Sequence, residues 1–440
     1  MAAREFSGRS GRGTDRTGLP GWRARQHRCR RRRSCHAVKL IDRRPLQIPA
    51  FRRLWTASAV AAVGGSFSLV AVPTQLFTLT GSSATVGVSA VISTCALIVS
   101  ALGSGALSDT MDCRRLLLAG NAGLGLAYVG LWLNAELDSV AVLLVLVALY
   151  GLSFGVTMTT MGAAVPRVVP NEQLVAANSL SALTRYTGAV VGPLLAGLLI
   201  PAVGLGTLYL LDSVAMLVVL WAVGKLPAMP RPRRRGIARQ LGEGFRYLAR
   251  ERILVAILVV DMAAMVLAMP VALFPELAEQ AYGGSAGGGV ELGLLFSAYP
   301  TGVLLAGLMS GTFSRARRHG ALMASAATVW GGCVVVLGLA AHLWIAVFAL
   351  VAGGAVNFVL STFRNTIAQA YTDEAMRGRI QGALTVVLMG GPQLANVVHG
   401  FAGAWIGAQW AIGIGGALAA LTVLLVLRAV PELWRYGDSP

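Results

Sequence analysis

The amino-acid sequence predicts an all-α membrane protein with twelve transmembrane helices in two six-helix halves. Three observations predict it: a composition too apolar for a soluble domain, an alternation of arginine-bearing and arginine-free loops, and an echo of the first half in the second. Of the 440 residues, 55% are hydrophobic and 13% charged, with a mean hydropathy of +0.67. A soluble domain carries roughly 25% charged residues. The apolar residues recur along the whole chain, so embedding in a bilayer is the economical explanation.

The first 45 residues stand apart. They are rich in Arg, Gly and Ser, include the run Arg30 to Arg33, and lack apolar periodicity. The expectation for 1–45 is a disordered basic tail. No apolar core of a signal peptide precedes Phe51. Three readings of the tail stay open: a solvated cytoplasmic extension touching anionic lipid, a stretch upstream of the true start codon, or a nucleic-acid-binding arm. The last is the weakest, because the net charge of +18 has a topological explanation.

A spanning helix needs about 20 mostly apolar residues. That ruler gives segments near 54–76, 84–107, 116–133, 140–163, 175–200 and 207–225, then 253–278, 291–312, 320–339, 343–363, 380–403 and 408–428. The longest polar interruption, 226–252, holds eight arginines from Arg231 to Arg252. It is expected to be a cytoplasmic central loop between an N-terminal half, 46–225, and a C-terminal half, 253–440.

Every second loop carries arginine: Arg114 and Arg115, Arg167, the central loop, then Arg315, Arg317 and Arg318, and Arg377 and Arg379. The intervening loops, near 77–83, 134–139, 201–206, 279–290, 340–342 and 404–407, contain neither Lys nor Arg. The positive-inside rule then puts both termini in the cytoplasm, with the protein in the inner (plasma) membrane. An even number of spans agrees.

The halves echo each other at a separation of about 200 residues. GALSDTMDCRR (Gly105 to Arg115) returns as GLMSGTFSRARR (Gly307 to Arg318), and VVGPLLAG (Val190 to Gly197) returns as MGGPQLAN (Met389 to Asn396). The pairs Gly192-Pro193 and Gly391-Pro392 lie 199 positions apart. Parallel repeats about an axis along the membrane normal are a transporter design, with the substrate site between the halves near the midplane.

Over roughly 45–435 these residues resemble the major facilitator superfamily. The segment Gly105 to Arg115 is similar to that superfamily's loop motif between the second and third spans. The resemblance implies that Gly105 permits close helix approach. It also implies that Asp109, with Arg114 and Arg115, joins a charge-and-dipole latch that holds one conformation closed. Thr110 and Cys113 stand where that motif usually has basic residues. The segment Gly188, Gly192, Pro193 and Gly197 resembles the fifth-span motif of drug:proton antiporters, which are exporters. Gly188 and Gly192 share a helix face and permit tight packing, while Pro193 removes a backbone donor and is expected to bend the helix. VPNEQLVAANSLSALTRYTG (Val169 to Gly188) and FRRLW (Phe51 to Trp55) resemble the branch with enterobactin exporters and macrolide-efflux proteins. An acid midway along the first span, frequent in that branch, is replaced by Val63-Gly64-Gly65-Ser66.

Ionisable side chains in hydrocarbon are costly and usually face a cavity or a partner. Asp261 lies nine residues past Arg252, about 13 Å into its span. Asp212 lies nearer the outer side. Both can take and release a proton, the chemistry of a proton antiporter, with Asp261 the principal candidate; a structural carboxylate bonded to a neighbouring helix is the competing reading of each. Glu276 is expected at the outer interface. Polar cavity candidates are Gln75, Asn357, Gln393, Asn396 and His399, the last three drifting around one broad face of a helix. Helix-to-helix hydrogen bonding would use the same side chains. Arg185 and Arg364 are expected to snorkel toward the cytoplasmic interface, with contact to an anionic substrate as the sharper alternative.

No GxxxxGK[ST], HExxH or Cys/His cluster occurs, so no enzyme, cofactor or metal site is expected. The five cysteines show no ligand spacing and no pair for a disulfide framework. The expectation is a monomeric secondary transporter for proton-coupled efflux, with protons, a small amphipathic molecule and the lipid bilayer as partners and no nucleic acid. An importer or uniporter on the same fold, and a non-transporting sensor or scaffold, are the alternatives.

Overall fold

Helices account for the computed structural model, which describes residues 44–107, 111–170, 173–228, 246–285, 288–309, 318–371 and 374–437. The tail 1–43, Asp109, Thr110, Arg315, Arg317 and most of the central loop lie outside the described residues. After a 3₁₀ turn at Arg44–Gln47 come α1 (Pro49–Thr80), α2 (Ser83–Leu107), α3 (Cys113–Leu137), α4 (Val140–Val168) and the 51-residue α5 (Leu174–Gly224). Past the central loop come α6 (Arg252–Met262), α7 (Val290–Leu308), α8 (His319–Leu339), α9 (Leu343–Ala370), α10 (Glu374–Ile406), α11 (Ala408–Ala429) and the short α12 (Pro431–Arg435). The described residues contain no strand.

Ten helices among the described residues are long and apolar enough to cross a membrane. The sequence led to twelve segments, and the difference has two sources. α5 runs through both expected spans 175–200 and 207–225, interrupted by non-helical backbone at Gly204 (φ 76°, ψ 166°). At 1.5 Å per residue its length is about 77 Å, over twice a hydrocarbon core of about 30 Å. α10 covers the expected span 380–403 and is not among the ten. Pro193 sits inside α5 with helical neighbours, and Gly204 is where the helical dihedrals break.

The expected span 253–278 is not one regular helix. α6 passes into a π-helical turn, Ala263–Leu267, then a 3₁₀ turn at Val271–Leu273 and a second π-helical turn at Leu277–Ala281. Such backbone frees carbonyl groups that must find partners inside the bilayer. The Trp330 indole supplies one, donating to the Ala264 carbonyl at 2.8 Å.

Large apolar side chains point outward along the helices: Leu126, Val145, Leu217, Trp221, Phe348 and Trp405 are all exposed. Small residues fill the seams instead. A Cβ built on Gly188 would collide with Ala62 of α1, and one on Gly192 with Ser66 of α1. The glycines of the fifth-span motif therefore set the approach of α5 to α1, as the packing argument expects.

Arginines close the helix ends on the arginine-bearing side. Arg53, at the start of α1, donates to the Lys225 carbonyl at 2.8 Å, just past the end of α5. Arg252, at the start of α6, donates to the Ala429 carbonyl at 3.4 Å, at the end of α11. Each of the two arginines thus caps the negative end of a helix. Arg114 adds a bond to the Gly224 carbonyl, while Arg115 is exposed. Asp112 starts α3 by accepting the Arg114 backbone N–H at 2.9 Å.

Candidate functional site

The helices before and after the central loop meet at the arginine-free end. A Cβ on Gly400 (α10) would lie 2.7 Å from the Gly87 Cα (α2), and one on Gly197 (α5) would lie 2.7 Å from the Gly293 Cα (α7). Backbones approach this closely only where no side chain intervenes. Gly197, the last residue of the exporter-like motif, thus belongs to a different contact from Gly188 and Gly192.

Glu276 bolts the same seam. Its Oε2 accepts the Ser83 hydroxyl from the start of α2, and its Oε1 accepts the Ala408 backbone N–H at 3.2 Å. This corrects the expectation of an interfacial glutamate: Glu276 is buried. The broken helix explains why. Its short turns carry residues 274–278 inward, so the carboxylate meets α2 and the first N–H of α11 instead of water.

Asp261 and Arg364 form the central pair. Arg364 Nη1 lies 2.5 Å from Asp261 Oδ1, with the residues 4% and 1% exposed. The expectation that Arg364 snorkels to the interface is wrong. A carboxylate one helix away, at the turn where α6 becomes π-helical, holds the guanidinium inside. Asn365 accepts from Arg364 Nε and Nη2 at 3.3 Å, completing part of the donor fork. Tyr299 of α7 lies within electrostatic reach of Asp261, Arg364 and Tyr186. Its hydroxyl donates to Asn357 Oδ1 at 3.0 Å, and its ring lies 5.5 Å from Trp330. Arg185 is exposed, with its guanidinium 5.7 Å from the Tyr186 ring centroid. A charged pair, phenols, an amide and an indole therefore cluster where α5, α6, α7, α8 and α9 come near one another. Such a set can hold an aromatic or anionic molecule and exchange a proton.

Asp212 occupies a different setting. Ser68 of α1 donates both its backbone N–H, at 2.9 Å, and its hydroxyl to Asp212 Oδ2. Asp212 Oδ1 is buried without a hydrogen-bond partner. Tyr128, Tyr150 and Tyr209 stand within electrostatic reach. Three residues toward the arginine-free end, the Tyr209 hydroxyl donates to Gln75 Oε1 at 2.9 Å. Gln75, proposed from sequence as a cavity residue, borders a cavity of about 380 Å³.

The α10 residues separate. Gln393 and Asn396 are half-buried, whereas His399 is 2% exposed, beside Gly415 of α11 and the Leu267 backbone. His399 is packed between helices and lines no open space. Sequence reasoning missed Tyr299, Tyr209 and Trp330, because a phenol or indole in an apolar helix has the same pattern as a lipid-facing aromatic.

Residues 43–435 match the family described as transmembrane secretion effector. The enterobactin exporter EntS of Shigella boydii serotype 18 is 31% identical over 403 residues, covering 89% of this chain and 94% of that protein. EntS of Citrobacter koseri is 29% identical over 397 residues with the same coverage. Among solved structures, a POT family transporter in complex with 5-aminolevulinic acid superposes with a TM-score of 0.68 at 13% identity, covering 87% of this chain and 96% of its own. A bacterial homologue of ferroportin in an inward-facing state gives 0.66 at 16% identity, covering 88% and 98%.

Proposed function

This chain belongs to the transmembrane secretion effector family and is an efflux transporter of the major facilitator type; on that premise we propose that it exports an amphipathic small molecule of the siderophore or macrolide kind against protons. The N-terminal half, 46–225, and the C-terminal half, 253–440, rock about a central cavity in the inner membrane, with the arginine-bearing ends and both termini in the cytoplasm. One chain suffices, since both halves are present in it.

The observation that carries the coupling is the buried pair of Asp261 and Arg364. The ionised Asp261, held in place by Arg364, accepts a hydrogen bond from a hydroxyl of the substrate seated beside Tyr299 and Asn357, and a proton on Asp261 removes that acceptor and releases the substrate. Substrate binding in turn displaces the proton. Proton and substrate thus compete for one carboxylate, which is the logic of antiport. Asp212 is the second proton carrier. The closed seam at the arginine-free end supports a form open toward the cytoplasm, ready to load.

The test is a susceptibility and secretion panel in a host stripped of its own efflux pumps, with enterobactin and a macrolide as probes. Expression should raise macrolide tolerance or enterobactin secretion. No change for either probe in cells with the protein in the membrane contradicts the substrate class.

A further inference from the structure

The cavity at the arginine-free end is lined by Trp132, Glu136 and Asp138 from the end of α3, by Val203 to Thr207 around the break in α5, and by Gln75 of α1. Its volume of about 380 Å³ is ample for several waters. It lies apart from the pair of Asp261 and Arg364. Gln75 is 3% exposed and forms its floor. Directly behind stands Tyr209, fully buried and bonded to Gln75. One helical turn deeper on the same helix is Asp212, fully buried, with Oδ1 lacking a hydrogen-bond partner.

We infer that this cavity is the outer proton vestibule of Asp212, and that the hydrogen bond between Tyr209 and Gln75 is the gate between them. The inference rests on the proposal of proton-coupled efflux and adds its outer branch. Glu136 and Asp138 hold negative charge at the mouth and raise the local proton concentration. When the gate opens, vestibule water reaches Asp212. A hydronium ion then gives its proton to Oδ1, one O–H bond breaking and one forming, and leaves water. An amide relays protons poorly, so Gln75 acts as a plug and not as a wire.

The groups around Asp212 leave both protonation states of its carboxyl accessible. From α1 comes Ser68, which donates two bonds to Oδ2. From α3 and α4 come Tyr128 and Tyr150, and from its own helix Tyr209. Among the described residues no ion pair to Asp212 is formed, in contrast to Asp261. A buried charge without a cation is costly, whereas a protonated carboxyl is not.

The experiment uses the full chain in right-side-out membrane vesicles, with inner and outer pH set separately. Dicyclohexylcarbodiimide modifies protonated buried carboxyls, and mass spectrometry of the peptide reports Asp212. Labelling of Asp212 should rise as outer pH falls and ignore inner pH. Val203→Cys, alkylated in the folded protein with a bulky membrane-impermeant reagent, should blunt that response at least about tenfold. The unalkylated variant and reagent-treated wild type should keep it. Tyr209→Phe, which deletes the gate bond while keeping the ring, should shorten the lag after an outer pH jump. Labelling that follows inner pH, a plugged cavity that responds normally, or a longer lag in Tyr209→Phe overturns the inference. Outer-pH labelling without substrate-driven proton movement would defeat the coupling proposal and leave the vestibule standing. Coupled transport with labelling set by inner pH would do the reverse.

Discussion

Arg364 and Asp261 lie 103 positions apart in the chain and 2.5 Å apart in the fold, in a setting that excludes nearly all solvent. Desolvating both charges is expensive, and the pair offsets that cost only while both partners are present. Arg364→Ala should therefore destabilise the protein by about 3–5 kcal/mol, because Asp261 is left buried and unpaired. The double change Asp261→Asn with Arg364→Gln should recover part of that loss. Thermal unfolding in detergent measures both. Equal stability of Arg364→Ala and wild type would contradict a buried pair.

Gly192 faces Ser66 of α1 with no room for a side chain. Gly192→Leu is expected to abolish efflux while the chain still inserts, since overpacking costs about 1–3 kcal/mol and forces the helices apart. Membrane abundance by immunoblot and probe efflux separate the two effects. Full efflux by the variant would show that this contact is dispensable.

Glu276 ties Ser83 to the α11 start at the arginine-free end. Glu276→Ala should loosen the seam and shift the population toward the outward-open form. Thr74, buried and lining a narrow gap beside Pro275 and Glu279, is a suitable reporter. In a Thr74→Cys background, Glu276→Ala should raise the rate of labelling by an impermeant thiol reagent about tenfold, equivalent to about 1.4 kcal/mol. An unchanged rate would remove Glu276 from the gate.

The arginine-free loops predict sidedness. Reporter fusions at Ser139, Gly284 and Gly407 should report outside, and fusions at Pro232 and Arg377 inside. A cytoplasmic report from Gly284 would overturn the six-plus-six arrangement.

The helical membrane fold was legible because its signals are additive over long stretches: hydropathy over about 20 residues and arginine over whole loops. The fifth-span glycines were legible for a similar reason, since close packing demands glycine and little else. The broken helix after Asp261 was not legible. Its residues are as apolar as those of a regular span, and the irregular backbone depends on partners such as Trp330 supplied by a distant helix. The same limit applies to charges. Asp261 stood out as an acid in hydrocarbon, but its partner Arg364 sits near a basic loop, where sequence alone favours snorkelling. Glu276 likewise sits near an acidic loop, and only the inward turn of 274–278 buries it.

Proton exchange through Asp261 is the central claim, and one measurement tests it most directly. Everted vesicles carrying wild type or Asp261→Asn are given enterobactin, and a pH-sensitive dye records substrate-induced proton release. Asn keeps the shape and can still accept a bond from Arg364, but it cannot ionise. The account predicts proton release with wild type and none with Asp261→Asn, alongside retained downhill exchange of the probe. Normal substrate-induced proton release by Asp261→Asn would contradict it and transfer the role to Asp212.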